Sequence, residues 1–478
     1  MKKKGLAIFL CANDFRLRDN EALTEASFYE ECLPLFLYNK SSKALGGASR
    51  SWLHYSLKTF QETLEKENSK LLILEGDFLE SLRVLFDSIS VASVFWNENY
   101  NPLKKKFFES LKILLEEKKI PYSSCHGYLL STPEELLKKD GTPYLVYTAF
   151  WKNFVCKYRP KTLEKVKLSP YPKDFKIKSH SVESLELLPS ISWDKEFYKA
   201  GKPGEENALK ALQVFFKKSA DAYHDKRDVP SLLGTSRLSP YLHFGEIHPQ
   251  RILQSLESEF GSLVKTSSQG VLQFAKEVVW REFSHHLLWH FPFMVNKPLR
   301  SAFENFPWKK NKKLLRLWQK GLTGYPIVDA GMRELWETGW MHNRVRMVVA
   351  SFLVKNLGIP WQEGALWFHD TLLDASLANN TASWQWVAGC GADAAPFFRI
   401  FSPRTQGEKF DPEGVYVKKW CPELAKLPKK WIHAPSEAPE ATLQAAGITL
   451  GKNYPKPIVN YKESREKALQ NYDWMKKF

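Results

Sequence analysis

The apolar pattern of this chain changes period once along its length, and that change restricts the fold to two kinds of layer. Over the first 130 residues, Leu6–Cys11, Leu33–Tyr38, Leu71–Leu74 and Val91–Trp96 read as strands. Ser51–Leu64, Phe78–Phe86 and Leu103–Glu117 read as helices between them. Strands separated by helices pair in parallel, with helices on both faces of the sheet. Beyond residue 200 the spacing is helical and convincing strands are absent: Ala208–Phe216, Pro249–Glu257, Val271–His290, Leu314–Lys320, Val328–Thr338 and Asn343–Asn356 carry it. Residues 131–200, rich in Pro, Lys and Ser, read as a connector crossing the surface. A chain of 478 residues divides in this way because single cores stop growing near roughly 250–300 residues. The expected domains are 1–130, α/β with a parallel sheet, and 201–478, all-α, joined by 131–200.

Composition narrows the function. The formal net charge of +16 attracts polyanions, although Lys runs such as Lys104-Lys105-Lys106 are also easily solvated. Seventeen Trp is an unusual number, and most of them read as core. The six Cys show no C-x-x-C spacing and form no ligand cluster with His, so no metal site is expected. They read as reduced thiols of a cytoplasmic protein. The apolar run after Lys2-Lys3-Lys4 is broken by Asn13, Asp14 and Arg16, too soon for a signal peptide or a membrane span. No G-x-G-x-x-G follows the first strand and no Walker A motif occurs, which disfavours an ordinary dinucleotide or nucleoside triphosphate site there.

The chemistry is concentrated between Tyr223 and Gln406. Thr235-Ser236-Arg237-Leu238-Ser239 puts hydroxyls and an Arg just before a helical stretch, a setting that suits a pyrophosphate or a plain helix cap. Glu277 and Trp280 are three apart and share a helix face, as do Asn343 and Met347, four apart. Asp374, Ser376, Asn379, Asn380, Trp384 and Trp386 follow in one segment, where buried Asn and Asp require partners. Further motifs are Thr323-Gly324-Tyr325-Pro326, Trp361-Gln362-Glu363-Gly364 and Asp393-Ala394-Ala395-Pro396-Phe397-Phe398-Arg399.

As a set these motifs resemble the photolyase/cryptochrome family, most closely its class I cyclobutane pyrimidine dimer photolyases. The resemblance is dense from Tyr223 to Gln406 and weaker in the N-terminal part, where Asp14-Phe15-Arg16-Leu17-Arg18-Asp19-Asn20 carries it. It implies a Rossmann-like, antenna-type N-terminal α/β domain with a parallel five-stranded sheet, and an all-α domain binding reduced FAD non-covalently. Tyr223, Thr235, Ser236, Arg237, Leu238, Ser239, Arg346, Asp374, Ser376 and Asn380 would then contact the flavin. Arg346 would pair with Asp374, and Asn380 would face the flavin N5. Glu277, Trp280, Asn343, Met347 and Trp386 would hold the dimer. Trp384, Trp361 and Trp308 would carry electrons from the surface to the flavin. Arg227 and Gln406 would touch DNA, together with Glu277, Trp280 and Asn343.

Two positions depart from the pattern: Ser376 stands where many relatives carry Asp, and Phe274 where close relatives often carry Trp. The Asn-Glu pair that often binds a folate antenna is missing, the aligned stretch being Asn101-Pro102-Leu103-Lys104. A folate antenna is therefore disfavoured, and a deazaflavin, a second flavin or an empty site are the alternatives. The implied activity is light-dependent splitting of pyrimidine dimers in damaged DNA by a monomer that has no membrane contact. The competing readings are a cryptochrome-type blue-light photoreceptor, a (6-4) photolyase, and a basic flavoprotein that binds nucleic acid without repairing it.

Overall fold

The computed structural model describes residues 2–41, 44–159, 165–199, 201–263, 266, 268–394 and 398–477. Five parallel strands, β1 (Lys3–Cys11), β2 (Tyr29–Tyr38), β3 (Leu72–Glu75), β4 (Ser93–Asn97) and β5 (Tyr122–Cys125), form one sheet in the order β3-β2-β1-β4-β5. Its central strands read as unbroken apolar runs because both faces are covered: Cys32 to Leu37 are all buried. On one face Leu6, Ile8, Leu33 and Leu35 pack with Leu82, Leu85, Phe108 and Leu111 of the helices Phe78–Ser88 and Pro102–Glu117. On the other, Ala7, Phe9 and Phe36 join Trp52 and Leu57 of the Gly47–Lys66 helix. That second cluster runs on without a break into Tyr241, Phe274 and Phe283 of the helical part.

The remaining architecture is helical, with Gln269–His290 the longest helix at 22 residues. A third cluster, including Trp318, Trp361 and Trp384, forms the interior of the C-terminal half. Among the described residues, no helix is long and apolar enough to cross a membrane.

Two expectations change. The segment Asn343–Asn356 is not one regular helix. It is α-helical over Asn343–Ser351 and widens to a π-turn over Phe352–Asn356, closed by Leu357 N–H donating to the Phe352 carbonyl at 3.0 Å. The widened turn carries the buried Lys355, whose Nζ donates to the Ala388 carbonyl at 2.8 Å.

The stretch 131–200 is also more than a surface crossing. It contains the helix Tyr147–Lys157, which buries Tyr147, Phe150 and Phe154 in the same core as the Gln269–His290 helix. Their three- and four-residue spacing is a helical stripe, which the Pro and Lys content on either side outweighs when the segment is read by composition.

Candidate functional site

The site lies in the helical part, where a cavity of about 680 Å3 opens between the Gln269–His290, Asn343–Ser351 and Leu377–Ala388 helices and the turn 234–239. This is within the roughly 300–1,000 Å3 usual for cofactor and ligand pockets.

One wall is the Gln269–His290 helix, capped by Ser268 and presenting Glu277 and Trp280 to the cavity. Arg227 forms an ion pair with the Glu277 carboxylate, and Gln273 Nε2 donates to Glu277 Oε1 at 2.7 Å. Tyr147 lies flat against Trp280, with ring centroids 3.8 Å apart and an interplanar angle of 10°. One indole face is thereby covered, and Trp280 still lines the cavity.

The opposite side is built by His342 to Met347. His342 caps its helix, Nδ1 accepting from Arg344 N–H at 3.2 Å. Burial pushes the His342 imidazole down to about 4; Asp228 opposes that, and Arg346, Arg344 and Arg237 add to it. The ring is therefore neutral and able to accept. Asn343 and Met347 face the cavity one turn apart. Arg344 pairs with Asp228 at 2.7 Å, which links this helix to the segment bearing Arg227.

The floor is polar and fully paired at its centre. Arg346 makes a forked ion pair with Asp374, and its Nε donates to the Met341 carbonyl at 2.7 Å. Burial works to raise the Asp374 carboxyl, but Arg346 and a hydrogen bond from Ser239 hold it below the ordinary aspartate range. The carboxylate is thus an anion despite its burial.

The 235–239 turn approaches the floor from the other side. Arg237 takes a left-handed conformation (φ 52°), and its guanidinium lies 4.2 Å from the Trp340 ring centroid. Thr235, Ser236 and Ser239 of the same turn line the cavity. Trp386 closes the far side, its Nε1 donating to the Asp393 carbonyl at 3.0 Å.

Most of the residues expected from the sequence converge here. Tyr223, Arg227, Thr235, Ser236, Arg237, Leu238, Ser239, Glu277, Trp280, Asn343, Arg346, Met347, Asp374, Ser376 and Trp386 all line the one cavity. Asn380 does not. It lines a small adjoining cavity of about 90 Å3 with Trp384, and its Nδ2 donates to the Ala365 carbonyl at 2.9 Å. Asn379 lines both cavities.

Trp361, Trp308 and Gln406 line neither cavity. Trp361 is buried in the core that also holds Trp384, and Trp308 is half-buried at its margin against Phe306. Gly364 lets Trp384 lie against the Trp361–Thr371 helix, since a Cβ there would sit 2.1 Å from the indole. Gln406 sits on the Pro403–Phe410 helix. Of the motif Asp393–Arg399, residues 395–397 lie outside the described residues.

The cavity fits FAD by a feature the sequence did not single out. His243 lines it with both ring nitrogens shut off from solvent and without a hydrogen-bond partner. Burial pushes this imidazole down to about 3, so it offers one donor and one acceptor to a bound molecule. With the hydroxyls of 235–239 and the Arg346–Asp374 pair, it supplies polar contacts at several points of a mostly apolar cavity, as an extended dinucleotide needs. Tyr147, Gln273 and His243 all escape the sequence reading. Their roles depend on neighbours far away in the chain, and only the helical stripe through Tyr147 leaves a local signal.

The family described as "FAD binding domain of DNA photolyase" matches residues 274–474, and "DNA photolyase" matches residues 7–170. A deoxyribodipyrimidine photo-lyase of Agrobacterium fabrum is 44% identical over 473 residues, 97% of each chain. Cryptochrome-1 of Arabidopsis thaliana is 36% identical over 96% of this chain and 69% of its own. The crystal structure of a bacterial class III photolyase from Agrobacterium tumefaciens superposes on this chain with a TM-score of 0.95. Its identity is 43%, covering 100% of this chain and 99% of the other.

Proposed function

The chain belongs to the photolyase/cryptochrome family, and on that premise we propose that it repairs cyclobutane pyrimidine dimers in DNA under light. One observation carries the reading: Glu277, Trp280, Asn343, Met347 and Trp386 ring the same cavity as the Arg346–Asp374 pair and the 235–239 turn. Within the family we propose the class III type in place of the class I type, because the class III photolyase matches from end to end at 43% identity.

In this reading the hydroxyls of Thr235 and Ser236 hold the pyrophosphate, and Ser239 ties the turn to Asp374. Tyr223, Arg237 and Leu238 pack beside the pyrophosphate. Arg346, Asp374 and Ser376 surround the ring system, and Asn380 stands behind them in the small adjoining cavity. Bound FAD supplies, on excitation of its reduced form, the electron that opens the cyclobutane ring and regains it afterwards.

The protein's part is to extract and orient the lesion. Trp280 and Trp386 offer flat faces to an extruded dimer. For enzymes that act on extruded bases, photolyases among them, extrusion costs a few kcal/mol and least for a damaged pair. The Glu277 carboxylate, paired with Arg227, accepts from an N–H on the dimer. Arg227 and Gln406 reach the DNA backbone, where the +16 charge adds salt-sensitive attraction. Trp308, Trp361 and Trp384 form a route by which electrons from the surface keep the flavin reduced.

The test is binding and repair on three matched duplexes carrying a cyclobutane dimer, a (6-4) product or no damage. Preferential binding and illuminated repair of the first is expected. Selective repair of the (6-4) product would overturn the substrate, and equal affinity for all three would leave only a basic flavoprotein. The similarity to cryptochrome-1 favours one second reading, a blue-light photoreceptor. That reading predicts a light-dependent spectral change with no loss of either lesion.

A further inference from the structure

We propose that Tyr147, a residue of the segment joining the two halves, is a positioning residue that sets the gap between the two tryptophan walls of the cavity. Four contacts converge on the short stretch Leu145–Tyr147. The Tyr147 ring is stacked on Trp280 at 3.8 Å and 10°, tighter and more nearly parallel than an edge contact. Its hydroxyl donates to the Lys276 carbonyl at 2.6 Å, one turn before Trp280 on the same helix. On the other side, Asp393 N–H donates to the Leu145 carbonyl at 3.0 Å, and the Tyr147 backbone N–H donates to the Asp393 carboxylate. The Asp393 carbonyl in turn receives Trp386 Nε1 at 3.0 Å. Trp280 and Trp386 lie 106 positions apart in sequence, and this one short segment ties them together.

The arrangement has a physical consequence. An indole has two faces, and Tyr147 permanently covers one of those of Trp280. The ring is thus held as a rigid plate with one face toward the cavity, and a stacking base does not have to immobilise it. Preorganisation of this kind strengthens binding by lowering the ordering cost. The stack requires an aromatic ring at position 147, whereas the hydroxyl fixes only where that ring sits.

The inference rests on Trp280 facing the lesion, as proposed above. The experiment therefore uses Tyr147→Phe, Tyr147→Leu and Trp280→Ala in the full chain loaded with FAD. Affinity is measured for a duplex with one thymine cyclobutane dimer and for its undamaged counterpart, and repair is followed at saturating lesion. Flavin absorbance and melting report folding.

Tyr147→Phe should bind the lesion as the wild type does. Tyr147→Leu should weaken lesion binding by roughly three- to tenfold, the worth of an aromatic pair. It should leave undamaged-duplex affinity and the saturated repair rate unchanged. Wild-type lesion affinity in Tyr147→Leu, or a loss already present in Tyr147→Phe, would overturn the positioning role. If Tyr147→Leu fails to take up flavin, the Tyr147→Phe arm still decides between ring and hydroxyl. If Trp280→Ala itself binds the lesion normally, the assignment of the wall is at fault, and the inference falls with it.

Discussion

Asp374 accepts two hydrogen bonds from Arg346, Nη1 to Oδ1 at 3.1 Å and Nη2 to Oδ2 at 2.9 Å. The fork joins the segment before the Leu377–Ala388 helix to the Asn343–Ser351 helix, across the floor of the cavity. Asp374 is 4% exposed and Arg346 23%, so the carboxylate depends on this partner more than the guanidinium does.

Arg346→Leu leaves that carboxylate buried and uncompensated. Breaking a buried pair costs about 3–5 kcal/mol, and the exposure of Arg346 puts the expected loss at or below the lower end. Chemical denaturation measures it, and flavin content should fall with it. Because the folded Asp374 is held below its ordinary range, its contribution is complete above that range and is lost as pH falls through the lowered value. The acid part of the stability curve should therefore flatten in Arg346→Leu.

Glu277→Ala should leave flavin bound, since the Glu277 carboxylate is engaged by Arg227 and Gln273 at the cavity wall. Lesion affinity should weaken by about 1–3 kcal/mol, the effect of removing one polar partner from a desolvated pocket, and repair yield should fall with it. Undamaged duplex should bind no more weakly than before, because Arg227 is then freed for phosphate. Titration of both duplexes by fluorescence anisotropy checks this.

His342 allows a test by pH. Its imidazole titrates near 4 when folded, against an ordinary value of about 6.5. Between those values the unfolded chain binds a proton that the folded one does not, so this residue lowers stability as pH falls from about 6.5 toward 4. His342→Asn keeps a good helix cap and removes the titration. The melting difference between variant and wild type should grow in the variant's favour over that window. A constant difference contradicts the assignment.

The outline of the fold is legible in the sequence because it rests on periodicity. The apolar runs of β1 to β4 and the stripes of the long helices are local signals. Strand β5 carries Tyr-Ser-Ser-Cys and packs at the sheet edge, so its identity comes from pairing with β4 and not from its composition. The shared faces of Glu277 with Trp280, and of Asn343 with Met347, follow from helical spacing alone. The Tyr147–Trp280 stack and the orphaned nitrogens of His243 join segments far apart in the chain, and nothing local announces them. Asn380 shows the limit from the other side: its position beside Trp384 is readable, but its Nδ2 is engaged by the Ala365 carbonyl of a neighbouring helix.

Trp308→Phe separates supply of electrons from repair. Trp308 stands at the margin of the core that contains Trp361 and Trp384, and it does not line the cavity. Photoreduction of oxidised flavin should slow markedly, followed by absorbance under blue light. Repair by protein reduced beforehand should be unaffected, and a loss there would place Trp308 on the path to the lesion.

The most direct test of the central claim is illumination of the purified protein, loaded with fully reduced FAD, together with an oligonucleotide containing a single thymine cyclobutane dimer. Restored thymines are counted by chromatography against a dark control. Loss of the dimer in the light and none in the dark is the predicted result. An intact dimer after illumination, with flavin bound and reduced throughout, contradicts the account.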